Sequence, residues 1–372
     1  MKRILVTGAD GYCGWPVVLK LLETTDYEII GIDSCYRRSW VKLVGGDTLL
    51  PIVSYRERSD FLRRTYGDRV KLLEYDLTLT PVVESILRRY QPDVILHLAS
   101  QPSAPFSQKD SWFCNFTQAN NLQMTLNLIW AIRDIKPETK LVVTTTTGIY
   151  GAPDFPIPEG GIVINEKEIP FPSMGGSFYH MSRAFDSSNL WLAHRWFNVQ
   201  VIELRTSIVC GSSTVETRKE KKLNTRFDYD PYFGVVVNRF VAQAVSGKPL
   251  TIYGKGLQKK PMISLEDMVR TTIRSIEIDT DYKIFNQTQD VISIVEIAET
   301  VKRVLQENFD LDVKIEHIPN PRVEDEEHQM SMDNSSFFSL LAGGSWQCTL
   351  LEAIKQSCLD IYPYRHRITN GG

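Results

Sequence analysis

The stretch Arg3-Ile-Leu-Val-Thr-Gly8-Ala-Asp-Gly11-Tyr-Cys-Gly14-Trp15 decides the fold of this chain. Its apolar first part predicts a buried parallel strand, and its three glycines stand at the spacing G-x-x-G-x-x-G. Apolar side chains at helical spacing follow over residues 17–22, so the glycines join a strand to a helix. In that context the backbone can approach a pyrophosphate, whose charge lies at the helix N-terminus. The pattern predicts a dinucleotide site at Gly8, Gly11 and Gly14, and a glycine turn without a ligand is the alternative.

A carboxylate at the end of the second predicted strand, residues 27–32, narrows the choice of dinucleotide. Asp33 follows the glycines by about 20 residues, where a side chain would meet the adenosine ribose. Its carboxylate can accept hydrogen bonds from the ribose hydroxyls and would repel a 2′-phosphate. The sequence therefore predicts NAD rather than NADP, although Arg37 and Arg38 stand just beyond and could attract such a phosphate.

Strand-like and helix-like runs alternate through the first part of the chain. Strands are predicted at residues 70–74, 93–98 and 140–144, and helices at 81–90, 118–133 and 177–197. Such alternation indicates βαβ units and a parallel sheet. We expect an α/β fold with a Rossmann-type doubly wound parallel sheet and a smaller C-terminal substrate-binding lobe. The expected division is a cofactor domain with the catalytic residues over 1–205 and the lobe over 206–372, from which some segments return to the sheet.

Composition and charge describe an ordinary globular protein. Of 372 residues, 42% are hydrophobic and 23% are charged, and the net charge of −3 gives no reason to expect nucleic acid or an anionic membrane as a partner. No run of 18 apolar residues occurs and the first strand leaves no room for a signal peptide, so a cytoplasmic chain is expected; one trimmed of an organellar transit peptide would look the same. The cysteines form no C-x-x-C pair and the histidines show no metal-binding spacing, so neither disulfides nor a metal are expected.

Threonines at a strand end and a tyrosine on the next helix are the catalytic candidates. The strand at residues 140–144 runs into Thr144 to Thr147, and Tyr179 and Arg183 follow one helical turn apart. A phenol is a poor base unless its phenolate is stabilised, and a cation one turn away lowers its pKa. These residues therefore suit removal of a proton from a sugar hydroxyl during hydride transfer to NAD. A buried tyrosine beside a surface arginine is the alternative.

Further polar residues follow other strands. Asp76, with Leu77 beside it, could bond the adenine amine or serve only in a turn, and Leu98 ends its strand among small residues that would let a cofactor pass. Arg322 could grip a diphosphate with both guanidinium edges. The charged run at residues 216–222 predicts a solvated loop. Polar groups among aromatic residues also occur after residue 205, namely Arg226 and Asn238.

These motifs together resemble a known family. T-G-x-x-G-x-x-G, a strand-end threonine and Y-x-x-x-cation are typical of the extended short-chain dehydrogenase/reductases that modify nucleotide sugars. Within that family the chain is most similar to the UDP-sulfoquinovose synthases, which join sulfite to UDP-glucose. The matching stretches are Gly11-Tyr-Cys-Gly-Trp15, Arg37-Arg38, Ser103-Ala-Pro105, Thr117-Gln118, Asn120-Asn121, Ser177-Phe-Tyr-His180, Asp228-Tyr-Asp230, Phe233-Gly234, Asn238-Arg-Phe240, Tyr253-Gly-Lys-Gly256, Asn320-Pro-Arg-Val-Glu324 and Glu327-His328.

The resemblance implies a reaction on a UDP-hexose. Bound NAD would oxidise the hexose at C4, with Tyr179 as the base, Thr146 on the same oxygen and Arg183 as the cation. Loss of water from C6, addition of sulfite at C6 and return of the hydride would follow, with His180 handling protons. The expected cofactor contacts are Gly8, Gly11, Tyr12, Cys13, Gly14, Asp33, Arg37, Asp76, Leu77, Leu98, Asn121, Tyr179 and Arg183. The expected substrate contacts are Ser103, Arg226, Asn238 and Arg322. A homodimer through the helices near residues 118–133 and 179–197 is also implied.

The chain departs from this family at several strand ends. Arg183 stands in place of a lysine, and Ser100 and Pro102 stand where the family has an acidic residue and an arginine. Ile149 replaces an acidic residue, and Arg205 with Thr206 replaces a pair of amides. These changes bear on the sulfite step more than on NAD binding. The second hypothesis is therefore a nucleotide-sugar epimerase, dehydratase or decarboxylase, and the third is a non-catalytic protein that binds NAD or a nucleotide sugar.

Overall fold

Strands and helices alternate along the computed structural model, which describes residues 1–151, 153, 155–170, 174–319 and 330–368. The strands are β1 (Arg3–Thr7), β2 (Glu28–Asp33), β3 (Val70–Glu74), β4 (Val94–His97), β5 (Lys140–Thr146), β6 (Gly161–Ile164), β7 (Lys167–Pro170), β8 (Val201–Thr206), β9 (Ile208–Cys210), β10 (Leu250–Tyr253), β11 (Lys259–Ser264), β12 (Tyr282–Gln287), β13 (Asp290–Ser293) and β14 (Ile315–Ile318). The helices are α1 (Gly14–Thr24), α2 (Tyr36–Leu43), α3 (Tyr55–Tyr66), α4 (Thr80–Tyr90), α5 (Ala104–Ser107), α6 (Ser111–Ile135), α7 (Phe178–Phe197), α8 (Val236–Val245), α9 (Leu265–Arg274), α10 (Ile294–Phe309), α11 (Ser335–Leu340) and α12 (Leu350–Ile361). Short 3₁₀ turns lie at Gly67–Arg69, Thr147–Tyr150, Lys221–Leu223, Ser275–Glu277 and Tyr362–Arg367.

Seven parallel strands form the central sheet, in the order β3-β2-β1-β4-β5-β8-β12. The strand order changes direction at β1, which pairs with β2 on one side and with β4 on the other. In open α/β sheets a crevice for ligands lies beyond the carboxyl ends of the strands at such a point. The prediction of an α/β fold with a Rossmann-type parallel sheet is confirmed.

Alternate side chains of β1 pack on opposite faces of this sheet. Ile4 and Val6 belong to the core that includes α1, α3 and α9, whereas Leu5 belongs to the core that includes α4, α6 and α7. Because helices cover both faces, every residue from Ile4 to Thr7 is buried. This two-sided burial explains why the strand appears in the sequence as an unbroken apolar run.

Helix α6 and strand β5 both extend beyond their predicted bounds. The carboxylate of Asp110 accepts hydrogen bonds from the backbone N–H groups of Trp112 at 2.8 Å and Phe113 at 3.2 Å, so the helix begins at Ser111 rather than near residue 118. Strand β5 continues through Thr146 because that residue is still paired with Thr206 of β8. Its last hydroxyls therefore reach the carboxyl edge of the sheet.

The charged run at residues 216–222 differs from the predicted solvated loop at its first residue. Glu216 is buried, and its carboxylate lies 2.9 Å from Lys20 Nζ, which also binds Glu266 at 2.7 Å. These ion pairs fix the start of the run to α1 and α9. The remaining charged side chains of the run are exposed, as predicted.

A second core beside the central sheet is built mainly from residues after β8, joined by Leu49 and Leu50. Helices α8, α10 and α12 pack around it, β10 pairs with β14, and β9, β11 and β13 form a three-stranded sheet. Strand β12 is placed differently, because it pairs with β8 at the edge of the central sheet. A domain division at residue 205 stays a prediction. Within the described residues, no helix combines the length and the apolar character that a membrane crossing requires.

Candidate active site and cofactor cleft

A cavity of about 1130 Å³ lies beyond the carboxyl ends of β1, β2, β4 and β5. Its wall begins at the glycine loop after β1 and ends on segments 231–236 and 258–261 of the second core. Pockets for drug-sized ligands measure about 300–1,000 Å³, so this cavity can accommodate a ligand at least that large. The predicted residues on its wall are Gly8, Gly11, Tyr12, Cys13, Gly14, Asp33, Arg37, Asp76, Leu77, Leu98, Ser103, Thr146, Tyr179 and His180.

The glycine loop is folded so tightly that side chains are excluded from it. A Cβ atom on Gly14 would lie 2.0 Å from the carbonyl oxygen of Gly8, and one on Gly8 would lie 2.9 Å from the backbone nitrogen of Ala99. Cys13, which precedes α1, makes no side-chain cap hydrogen bond to that helix. The N-terminus of α1 therefore faces the cavity without a competing side chain, which fits the pyrophosphate of a dinucleotide. The loop thus satisfies the geometric requirement for NAD.

Asp33 stands where the adenosine ribose of a dinucleotide would lie. Its carboxylate accepts hydrogen bonds from the backbone N–H groups of Asp10 at 2.9 Å and Cys35 at 2.7 Å. Burial, reinforced by the nearby Asp10 carboxylate, raises the pKa of Asp33 to about 6. Asp33 is therefore mainly ionised at neutral pH and can accept hydrogen bonds from ribose hydroxyls.

The two arginines that follow β2 are already paired with carboxylates. Arg37 Nη2 lies 2.7 Å from Asp228, and Arg38 Nε lies 2.6 Å from Asp10. Their charges are compensated within the protein, so the geometry does not favour their use on a 2′-phosphate. Together with Asp33, this arrangement supports NAD rather than NADP.

Tyr179 and Thr146 meet at the wall of the cavity. Thr146 ends β5, Tyr179 lies in the first turn of α7, and both side chains line the cavity. Burial raises the pKa of Tyr179 above its ordinary value, and the positive charge of Arg183 and the nearby hydroxyl of Thr146 partly offset that rise. The arrangement is that of a phenol whose phenolate needs further stabilisation before it can act as a base.

Arg183 is buried behind the wall rather than on it. Its Nη1 lies 2.6 Å from Asp186 Oδ2 and its Nη2 donates a hydrogen bond to the carbonyl oxygen of Thr144 at 2.5 Å. Arg183 is not among the residues that line the cavity, so the structure does not place it against a cofactor. It fixes α7 to β5 and supplies a charge behind Tyr179.

His180 faces the cavity beside Tyr179. Its Nδ1 lies 3.0 Å from the hydroxyl of Ser177, and burial, reinforced by the charge of Lys260, lowers its pKa to about 4. The imidazole packs directly on Gly148, where a Cβ atom would lie 2.3 Å from His180 Nε2. His180 is therefore neutral at physiological pH and able to accept a proton.

Three predicted contacts lie off the cavity wall. Arg226 is buried, and its guanidinium donates to Asp228 at 2.9 and 3.0 Å, so it is engaged within the protein. Asn238 is also buried, with Nδ2 donating to the carbonyl oxygen of Asp228 at 3.0 Å. The amide of Asn121 donates to Gln101 and Ser182 beneath the wall. The structure does not place these three where a ligand can touch them, and Arg322 lies outside the described residues.

Two cations on the cavity wall were missed by the sequence interpretation. Arg239 lines the cavity next to the buried Asn238, with its guanidinium 5.1 Å from the centre of the Tyr253 ring. Lys260 lines the same wall on β11. Helical periodicity could have indicated Arg239, because the neighbouring Val237, Phe240 and Val241 form the buried stripe of α8. The sequence carries no comparable signal for Lys260.

Comparisons with known proteins agree with this arrangement. The model of the NAD dependent epimerase/dehydratase family matches residues 4–286. UDP-sulfoquinovose synthase of Sulfolobus acidocaldarius is 36% identical over 98% of this chain and 94% of its own length, and the chloroplastic enzyme of that name from Spinacia oleracea is 34% identical over 91% and 71%.

Solved structures share the fold at lower identity. UDP-glucose 4-epimerase of Thermotoga maritima, solved with UDP-glucose, has a TM-score of 0.71 at 21% identity and covers 98% of this chain and 99% of its own. UDP-glucuronic acid 4-epimerase of Bacillus cereus, solved with UDP-glucuronic acid and NAD, has a TM-score of 0.69 at 20% identity and covers 99% and 100%.

Proposed function

The chain belongs to the NAD dependent epimerase/dehydratase family, and from that premise we propose that it modifies a UDP-hexose as the UDP-sulfoquinovose synthases do, with UDP-glucose and sulfite as substrates. The observation that carries this proposal is the meeting of Thr146, Tyr179 and His180 on one cavity whose other end is the glycine loop. Relatives of that name match the chain over nearly its whole length, which supports the same reaction.

In the proposed reaction, different residues of the cavity have different roles in proton transfer to and from the sugar. NAD, when bound, accepts a hydride from the sugar carbon and later returns it. Tyr179 takes the proton of the C4 hydroxyl, and Thr146, which lines the cavity beside it, holds the same sugar oxygen by a hydrogen bond from its own hydroxyl. The charge of Arg183 stabilises the phenolate from behind. His180, which is neutral, moves the protons that must leave C5 and join the C6 hydroxyl as it departs.

The cations on the second core are suited to the diphosphate of the nucleotide sugar. Arg239 and Lys260 lie on the same cavity wall, at the side formed by α8 and β11. A diphosphate is stabilised by two positive charges more than by one, and a guanidinium can bind it through two N–H groups. Ser103, which also lines the cavity, donates its hydroxyl to the carbonyl of Tyr232 and so fixes the loop in front of α8.

The direct test is mass spectrometry of the products formed from UDP-glucose with and without sulfite. A product with the mass of a sulfonate that forms only when sulfite is present is expected. Tyr179→Phe should form no product while it keeps its NAD, because the phenol is needed for proton transfer and not for the pyrophosphate site. A wild-type protein that forms no sulfonate would contradict the proposal.

An epimerase, dehydratase or decarboxylase is the second candidate, and one feature of the cavity favours it. Ser100 and Pro102 both line the wall, so the acidic residue and the arginine of the synthases are absent from the cavity itself. Ile149, by contrast, is buried and does not line the cavity. A product that forms from UDP-glucose without sulfite would favour this candidate, and its mass would separate isomerisation from loss of water.

We also propose that the protein is a homodimer through α6 and α7. Phe178, Phe185 and Leu192 on α7 are 50%, 46% and 45% exposed and recur every seven residues, so they form one stripe along the helix. Trp112 and Trp130 on α6 are 56% and 45% exposed and are separated by five helical turns, which places them on one face. A symmetric pairing of these two helices would cover both stripes.

A further inference from the structure

A buried ion pair lies in the central sheet beside the cavity. Glu203 and Arg205 are both 0% exposed on β8, and Arg205 Nε lies 3.1 Å from Glu203 Oε1. Neither residue lines the cavity, although Thr206 and Ser207, which follow on the same strand, do. A buried ion pair adds little stability in general, because the cost of removing two charges from water offsets their attraction. Its place beside the proposed catalytic residues therefore suggests another use.

One oxygen of Glu203 holds the end of β5. The hydroxyl of Thr145 donates to Glu203 Oε1 at 2.6 Å, and Thr145 also stands opposite Arg205 in the pairing of β5 with β8. Thr145 immediately precedes Thr146, which lines the cavity together with Tyr179. The ion pair thus fixes the residue next to one member of the proposed catalytic pair.

The other oxygen of Glu203 holds helix α7. The hydroxyl of Ser187 donates to Glu203 Oε2 at 2.7 Å and accepts a hydrogen bond from Arg205 Nη2 at 2.9 Å. Ser187 lies one helical turn beyond Arg183 and two turns beyond Tyr179. The ion pair therefore fixes the helix that carries the other member of the catalytic pair.

The bonds of Glu203 and Arg205 to Thr145 and to Ser187 are two arms of one hydrogen-bond network, and a third arm leads away from the cavity. Arg205 Nη1 donates to the hydroxyl of Tyr150 at 2.8 Å, and that hydroxyl donates to Asn286 on β12 at 2.6 Å. Neither Tyr150 nor Asn286 lines the cavity. This arm has the same kind of bond as the other two, but it leads to the edge of the sheet.

We infer that Glu203 and Arg205 are positioning residues that hold Thr146 and Tyr179 in place on the cavity wall by tying β5 and α7 to one buried charge pair. The inference rests on the proposed function, in which these two side chains act on the same sugar oxygen. Because each oxygen of Glu203 binds a different element, a small shift of either element breaks a charge-assisted bond between buried groups. Misplacement of catalytic groups by about 1 Å can cost two orders of magnitude in rate.

Three single variants that each remove one bond to the pair test this role. Ser187→Ala removes the link to α7, Thr145→Val removes the link to β5, and Tyr150→Phe is the matched control on the arm that leads away. We expect the first two to lower kcat about tenfold or more with little change in KM. The control should lower the melting temperature to a similar extent while kcat stays within about twofold of wild type. Equal losses of kcat in all three variants would show that the network serves only stability.

A measurement without turnover separates this inference from the proposed function. The protein is labelled with ¹³C at its tyrosine rings, and the Tyr179 signal is assigned by its absence from Tyr179→Phe. The midpoint of the pH titration of this signal should shift in Ser187→Ala and Thr145→Val relative to wild type. It should remain unchanged in Tyr150→Phe, and the NAD content should be equal in all four proteins. If wild type modifies no UDP-sugar but the titration moves in this pattern, the proposed function fails and the positioning stands. An unmoved titration in the first two variants would overturn the inference.

Discussion

The partners of Arg183 limit what its charge can do for Tyr179. The guanidinium lies 2.6 Å from the carboxylate of Asp186, and both side chains are buried, so much of the positive charge is compensated. Burial raises the pKa of Asp186 to about 6, so its carboxylate is mainly ionised at neutral pH and offsets the charge of Arg183 there. The phenolate of Tyr179 is therefore stabilised less than an unpaired cation would allow. The hydroxyl of Thr146 adds some stabilisation, and the positive ring of bound NAD would supply more.

Asp186→Asn should make Tyr179 a base at lower pH. The substitution leaves Arg183 without its negative partner, and the uncompensated charge lowers the pKa of the phenol. The value of kcat/KM rises with pH as Tyr179 loses its proton. The midpoint of this rise should therefore lie about one pH unit lower in the variant than in wild type. The measurement is the pH dependence of kcat/KM, and Asp134→Asn at the exposed end of α6 is the control. A profile that does not move would contradict the charge balance described here.

Asp33→Ser should weaken NAD binding without creating a site for NADP. Loss of a carboxylate that accepts ribose hydroxyls costs about 1.5–3 kcal/mol, which corresponds to roughly tenfold to a hundredfold in Kd. NADP should gain little, because Arg37 and Arg38 stay paired with Asp228 and Asp10. Titration of cofactor-free protein with each dinucleotide checks both statements. NADP binding as tight as that of NAD in the variant would show that these arginines can leave their carboxylates.

At the scale of single elements, hydrogen bonds from side chains to helix ends set boundaries that apolar periodicity does not show. Helix α6 starts at Ser111 because Asp110 caps it, whereas the apolar pattern is clear only from about residue 118. The same holds for β5, whose threonines continue the pairing with β8 beyond the apolar run. The extra residues of β5 matter, since they bring Thr146 to the cavity, whereas the α6 residues on the cavity wall, Asn120 and Met124, lie within the predicted helix.

Asp110→Ala should destabilise the protein by about 1 kcal/mol. It removes the acceptor for two backbone N–H groups that have no other partner within the helix. Asp134→Ala in the last turn of the same helix is the control, because a carboxylate there opposes the helix dipole and its exposed ion pair adds little. Urea denaturation of both variants makes the comparison. Equal losses would show that the cap is not what fixes this end.

Strands β1 to β5 could be predicted from the sequence because burial on both faces of a parallel sheet leaves an unbroken apolar run. Helices α1, α4, α6 and α7 were also predicted, whereas the strands from β6 onward and the other helices were not. The glycine loop, Asp33, Thr146, Tyr179 and His180 could likewise be placed at the cavity, since each stands at or near the end of a strand or the start of a helix. Substrate contacts were harder to predict, because they depend on the direction in which a side chain points from its helix or strand. Asn238 is turned into the core and its neighbour Arg239 toward the cavity, and Arg226 is engaged by a carboxylate only two residues away.

At the scale of the whole molecule, the exposed aromatic stripes on α6 and α7 predict the state of assembly. Phe185→Glu places a charge in the middle of the α7 stripe, where it would be buried without a partner in the proposed dimer. Sedimentation should give twice the chain mass for wild type and a single chain for the variant. Leu340→Glu, on an exposed side chain of α11 outside the stripes, is the control. A monomeric wild type would contradict the proposed dimer.

Strand β12 has a consequence for how the protein is made. It completes the central sheet next to β8, yet about 80 residues of chain separate the two, so β8 leaves the ribosome well before its neighbour. During that interval β8 presents an open edge of unpaired backbone groups, which is a template for pairing with other chains. A nascent chain that ends near residue 205 should therefore depend on chaperones and aggregate readily. The native sheet can be completed only after β12 has been made, which couples the maturation of the cofactor cleft to translation of residues 206–287.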